Sequence, residues 1–159
     1  MPRPKASTRP TETGHYRHTR LSTPHRPLVV LAAILVVGSS QAQEPSTKAA
    51  QDSTEAWLSL VDNQSYAASW STAASLFKSA IAQEKWQATA QAVRVPLGPI
   101  KSRTLKSATY ATNLPGAPDG EYVVFQFDAT FEQKSAAVET VTTIREKDGA
   151  WHVGGYFIN

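Results

Sequence analysis

Cysteine is absent from the 159 residues. That excludes a disulfide framework, a thiolate metal site, a cysteine nucleophile and the lipid anchor of a bacterial lipoprotein. No apolar run reaches the roughly twenty residues of a membrane-spanning helix, and with 41% apolar and 18% charged residues the chain is neither a multi-span membrane protein nor a disordered polyelectrolyte. Past the first quarter there is a single histidine, His152, and a lone imidazole cannot make a two-histidine metal site. No glycine-rich phosphate loop, metal-ligand cluster or Gly-x-Ser-x-Gly elbow is present, and the acidic residues are too scattered to name a carboxylate pair or a calcium loop. No cofactor is expected.

The formal charge of +3 conceals an asymmetry. Up to Ala42 there are six basic side chains against Glu12 alone; from Gln43 onward there are ten basic against twelve acidic. The basic character therefore belongs to the first quarter, and the remainder has no basic patch that argues for nucleic acid. That quarter reads as an export signal over residues 1–42. A basic, proline-rich stretch runs to Pro27, ten unbroken apolar residues follow from Leu28 to Val37, and Ser40 and Ala42 are the small residues a signal peptidase inspects. Ten residues of helix span roughly 15 Å, about half the hydrocarbon core, so a permanent membrane anchor is the weaker alternative. Cleavage is expected between Ala42 and Gln43, with a periplasmic or secreted product. The basic stretch is longer than usual, and a start near Leu21 would give a more ordinary leader.

Residues 43–159 read as one α+β domain. After a polar lead-in over Glu44–Lys48, a helix capped by Ser46 or Asp52 carries Trp57 on a small apolar stripe and stops near Asn63, a residue suited to a helix C-terminus. Asn63-Gln64-Ser65 also matches a glycosylation sequon, read as chance. Tyr66, Trp70, Ala74, Phe77 and Ile81 recur at helical spacing, but a weak centre divides them into two short helices. A further helix over Gln83–Val95 is ended by Pro96. Then the pattern changes to strands. Ile100–Leu114 is rich in Thr and Ser, Pro115–Gly120 is a dense turn signal, and Tyr122–Phe131 alternates cleanly. Val123, Phe125, Phe127, Ala129 and Phe131 share one face. Ala137–Glu146 is β-branched, Lys147-Asp148-Gly149 is a hairpin signal, and Trp151–Ile158 closes the chain with Trp151, Val153, Gly155 and Phe157 on one face. N-terminal helices packed on a four-stranded antiparallel meander follow from this order. Trp57, Trp70, Trp86, Phe77, Phe125, Phe127, Phe131 and Trp151 fill the layer between them, each burial contributing roughly 2–3 kcal/mol.

Several stretches, in order, resemble one family. They are Ala56-Trp57-Leu58-Ser59-Leu60-Val61-Asp62 with Tyr66-Ala67-Ala68-Ser69-Trp70, Arg94-Val95-Pro96-Leu97-Gly98, Ser102-Arg103-Thr104-Leu105, Leu114 through Tyr122, and Trp151-His152-Val153-Gly154-Gly155-Tyr156. The chain resembles the bacterial domain-of-unknown-function 4019 family over roughly Ala50–Ile158. The resemblance implies export and a fold similar to the nuclear-transport-factor-2-like, cystatin-like one, with the helices packed into a curved sheet. It carries no catalytic residue.

Candidate ligand-binding residues are Trp70, Tyr110, Asp128 and Tyr156. Asp128 is a carboxylate in mid-strand, solvated if it faces outward and a desolvated base if the sheet wraps a cavity. Tyr110, Tyr122 and Tyr156 put hydroxyls on strands, the usual place for core residues with a wet end. His152 reads as exposed or structural. Arg94 and Arg103 flank the helix-to-sheet crossover and are expected to pair with Asp62 or Glu121, or to hold an anion. Three readings follow. The first is a non-catalytic module for an unknown small molecule or a periplasmic protein. The second is a structural subunit that dimerises through its sheet. The third is an isomerase- or dehydratase-like enzyme with Asp128 as base beside Tyr110 or His152.

Overall fold

The computed structural model describes residues 43–159, and the leader reading with its cleavage between Ala42 and Gln43 lies outside the described residues apart from Gln43 itself. Four helices come first: α1 Gln43–Asp62, α2 Tyr66–Thr72, α3 Ser75–Ala80 and α4 Gln83–Leu97. Four strands follow: β1 Ile100–Ala111, β2 Tyr122–Phe131, β3 Lys134–Arg145 and β4 Trp151–Ile158. They form one antiparallel sheet in the order β1-β2-β3-β4, the expected meander, and the protein is α+β.

The helical half follows its apolar spacing with two corrections at the ends of α1. The helix already includes Glu44–Lys48, so this segment is no lead-in and neither Ser46 nor Asp52 is its cap. At the far end Asn63 is not the left-handed residue. Gln64 takes that position, with φ 59°. Ser65 N–H donates to the Leu60 carbonyl at 2.8 Å and Gln64 N–H to the Val61 carbonyl at 3.0 Å, the paired bonds of a Schellman C-cap. The weak centre of the next segment does split it: Ala73 and Ala74 are extended, separating α2 from α3. Pro96 sits inside the last turn of α4, which ends at Leu97, two residues beyond the expected Val95, and is capped by Gly98 at φ 72°.

Ser69, wholly buried on α2, organises the aromatic layer. Its carbonyl accepts the Trp57 indole N–H at 2.7 Å and its hydroxyl the Trp86 indole N–H at 2.9 Å. Its own O–H donates to the Tyr66 carbonyl at 2.8 Å. Both tryptophans are thereby buried without an unpaired N–H. Trp57, Phe77, Trp86 and Tyr156 pack edge-on or tilted with centroids 5.0–6.4 Å apart. Below them lie Val123, Phe125 and Phe127 of β2 and Val141 of β3, as the alternation predicts. Of the eight large residues assigned to this layer only Trp70 is half-exposed.

Strand β4 departs from simple alternation. Thr143 pairs with Val153 but Thr142 with Gly155, so Gly154 is an extra residue. This β-bulge reverses the faces beyond it. Trp151 and Val153 point inward as expected, but Phe157 does not share their face: it pairs with outward Thr140 and is 68% exposed. Tyr156, opposite Val141, turns inward instead. Glycine at the extra residue makes room for Ile144: a Cβ on Gly154 would come within 2.8 Å of Ile144 Cγ1 unless that side chain turned aside. Gly155 lies on the outer face, against Thr142.

Candidate functional site

The end of α1, the last turn of α4 and three strands converge on one buried cluster. Asp62 closes α1, Arg94 stands on α4, Arg103 points inward from β1, Glu139 from β3 and Tyr156 from β4. Arg94 donates from Nη2 to Asp62 Oδ1 at 2.6 Å, and from Nη1 to Glu139 Oε1 at 3.0 Å and the Tyr156 hydroxyl at 2.8 Å. Arg103 spans both carboxylates, with Nη1 to Asp62 Oδ2 at 2.8 Å, Nη2 to Asp62 Oδ1 at 2.9 Å and Nε to Glu139 Oε2. The Tyr156 hydroxyl donates to Glu139 Oε1 at 2.6 Å. Glu139 is wholly buried and Arg94 is 5% exposed, with its guanidinium 4.7 Å above the Phe131 ring.

Two guanidiniums face two carboxylates, so the cluster is neutral. Burial works against the charge on Arg103, but its hydrogen bonds to Asp62 and Glu139 outweigh that and its pKa ends above the ordinary arginine value. Burial first, then the Glu139 carboxylate, drives the Tyr156 hydroxyl well above the usual tyrosine range despite Arg94. Glu139 Oε1 alone accepts from Arg94, Arg103 and Tyr156. Oε2 accepts from Arg103 Nε, so both oxygens of this carboxylate are engaged by cations. The arrangement is a lock between helices and sheet.

The four ligand-binding candidates go to separate places, and no hydrogen bond joins any two of them. Trp70 donates its indole N–H to the Ile81 carbonyl at 2.8 Å and ties α2 to the end of α3. Tyr110 donates to Glu121 Oε1 at 3.1 Å. Asp128 lies on the outer face of the sheet, with its side chain 61% exposed and 3.4 Å from Lys106 Nζ. It borders an open hollow of about 430 Å³ with Ser102, Thr104, Thr130 and Ser135. Tyr156 alone belongs to the buried cluster. His152 is half-buried, between the Thr72 carbonyl at 3.2 Å and Asp148 at 3.1 Å. Arg94 and Arg103 both take Asp62, as expected, but Glu121 pairs instead with Arg145 at 3.1 Å. Sequence reasoning missed Glu139. Its signal was parity: it shares a face with Val141 and Thr143, and a carboxylate there must find cations.

A separate groove of about 290 Å³ runs between α4 and the outer edge of β4. Trp86 and Ala90 form its buried floor, with Val93 and Phe157, 45% and 68% exposed, at its margins. The first half of the β4 edge is covered, since Ala74 N–H donates to the Val153 carbonyl at 2.8 Å. Among the described residues no strand pairs with the rest. Asn159 exchanges both backbone hydrogen bonds with Val138, at 3.0 and 3.2 Å. By antiparallel alternation the N–H and C=O of Tyr156 and Ile158 point away from β3, toward this groove.

Fold and site together define a small helix-on-sheet domain, locked by a neutral ion cluster and carrying an apolar groove beside the β4 edge of its sheet. Residues 53–156 match the family described as protein of unknown function (DUF4019), and the chain belongs to that family. Comparison with curated proteins and with solved structures found no match.

Proposed function

We propose that the protein is a non-catalytic interaction module, exported to the periplasm by its leader, that binds an extended peptide segment along the free half of β4. The observation that carries this reading is the pairing of an unpartnered strand edge, at Tyr156 and Ile158, with an apolar groove beside it. Main-chain hydrogen bonds to the edge supply affinity, and the groove takes an apolar side chain from alternate positions of the ligand. Phe157 and Val93 flank that pocket. The burial of Glu139 between two guanidiniums and the solvation of Asp128 support binding over catalysis. The basic, proline-rich stretch and the apolar run ending at Ser40 and Ala42 support export.

Selection of displayed random peptides against the full chain tests the reading. The selected sequences are expected to alternate apolar and polar residues, and Val93→Asp is expected to weaken their binding by about tenfold or more. Val93 is exposed on α4, so this change leaves the fold intact. Selected peptides that bind Val93→Asp as well as the wild type, or no selectable peptide at all, overturn it.

A further inference from the structure

The segment joining α2 to α3 lies against the start of β4, and three bonds fasten it to the β3–β4 hairpin. Ala74 N–H donates to the Val153 carbonyl at 2.8 Å. Ser75 N–H donates to Glu146 Oε1 at 2.6 Å. The third bond runs between His152 Nδ1 and the Thr72 carbonyl, 3.2 Å apart. Thr72 is the last residue of α2, and its carbonyl is one of those a helix end leaves open. No backbone N–H reaches it among the described residues. On the other side of the ring, His152 Nε2 stands 3.1 Å from Asp148 Oδ2.

Both ring nitrogens therefore face acceptors. The Ala150 N–H on Asp148 Oδ1, and then His152, hold the Asp148 carboxyl below the ordinary aspartate value, so at neutral pH it is ionised and only accepts. A neutral imidazole has one N–H and one bare nitrogen, so it serves only one of its two partners here. An imidazolium serves both. A hydrogen bond to a carboxylate is stronger than one to a carbonyl. A single remaining proton therefore stays on Nε2, toward Asp148, and Nδ1 turns a lone pair on the Thr72 carbonyl. The other charged groups of the surrounding elements are engaged elsewhere or solvated. Glu146 holds the Ser75 N–H, Lys78 donates to the Ser71 carbonyl at 3.3 Å, Arg145 pairs with Glu121, and Lys147 is exposed in the turn. The α1 residues that share a hollow with His152 are Ser53, Ala56, Trp57 and Leu60, none of them charged. Histidine is the side chain whose ordinary titration lies between pH 5 and 8. Of the three bonds, the one to Thr72 is the one that pH makes or breaks in that range.

We propose that His152 is a pH-operated clasp: its imidazolium joins Asp148 to the Thr72 carbonyl and closes the α2–α3 segment over the first half of the β4 edge, and loss of a proton frees the Thr72 end. The clasp concerns the covered half of the edge and does not depend on what the free half binds. Amide hydrogen exchange of the full chain, corrected for the intrinsic rate, tests it. Protection of the Ala74 N–H, taken relative to the amides of β2, is expected to be at least roughly threefold lower at about pH 7.5 than at about pH 5.5. His152→Gln, which does not titrate, is expected to show no such difference. In the wild type the Thr72 carbonyl carbon and the Ala74 amide are expected to shift with the same midpoint as the His152 ring protons, a readout that stands even if His152→Gln folds poorly. Protection unchanged between the two pH values overturns the proposal, as does an equal loss in His152→Gln. So do Thr72 and Ala74 resonances that titrate with a different midpoint, or not at all.

Discussion

Arg94 and Glu139 are 45 residues apart in the chain and 3.0 Å apart in space, and each side chain is at most 5% exposed. A pair this buried is held by mutual compensation, so the loss of one partner costs more than the pair contributes. Glu139→Gln leaves two guanidiniums against the single carboxylate of Asp62. It is expected to destabilise the protein by about 3–5 kcal/mol. The double variant Arg94→Met with Glu139→Leu is expected to cost less than the sum of the two single changes. Urea unfolding of the four proteins measures this. Strict additivity would mean that the pair contributes nothing as a pair.

Gln64 occupies a left-handed position that glycine fills without strain. Gln64→Gly is expected to stabilise the protein by about 1 kcal/mol, because the C-cap hydrogen bonds from Gln64 and Ser65 are backbone bonds that survive the change. A shift of the denaturation midpoint at constant slope is the measurement.

Gly154 makes room for Ile144, whose Cγ1 would lie 2.8 Å from an added Cβ. Gly154→Ala is expected to cost about 1–3 kcal/mol by overpacking. In an Ile144→Ala background the obstructing atoms are gone and the cost is expected to fall. Equal costs in the two backgrounds would place the penalty in the backbone of the bulge and not in the contact.

Tyr156 has a folded-state pKa far above that of the unfolded chain, through burial and the Glu139 carboxylate. The fold favours its protonated form. Its contribution to stability is full below about pH 10 and is lost as pH rises beyond that value. Tyr66 shifts in the same direction, chiefly by burial. The unfolding free energy is therefore expected to fall between about pH 10 and 12, and Tyr156→Phe to flatten part of that slope. A slope unchanged by Tyr156→Phe would assign the alkaline loss elsewhere.

Much of the fold is legible in the chain because the sheet is half-buried and its alternation is physically enforced. Val123, Phe125, Phe127, Ala129 and Phe131 could only face the helices, and β2 has the expected bounds, Tyr122–Phe131. The two short helices were legible for the opposite reason, a weak centre between strong anchors at Tyr66 and Phe77. The bulge was less so. Two adjacent glycines announce a departure from regular pleating but do not say which is the extra residue, and a shift of one position exchanges the faces of Tyr156 and Phe157. The cluster was half legible. Arg94, Arg103 and Asp62 stood out at the ends of elements, but Glu139 lay in a β-branched run where only its parity distinguished it.

The meander joins only strands adjacent in the chain, so the sheet assembles from local hairpins that close short loops. The ion cluster is of another kind, for it ties Asp62 to Arg103 and Arg94 to Glu139 across long stretches of chain. Ties across so much chain are expected to close late in folding, and Glu139→Gln is then expected to raise the unfolding rate more than it lowers the folding rate, as loss of an interaction absent from the transition state does. The cluster is in that sense a latch: it sets how long the domain stays shut more than how fast it forms.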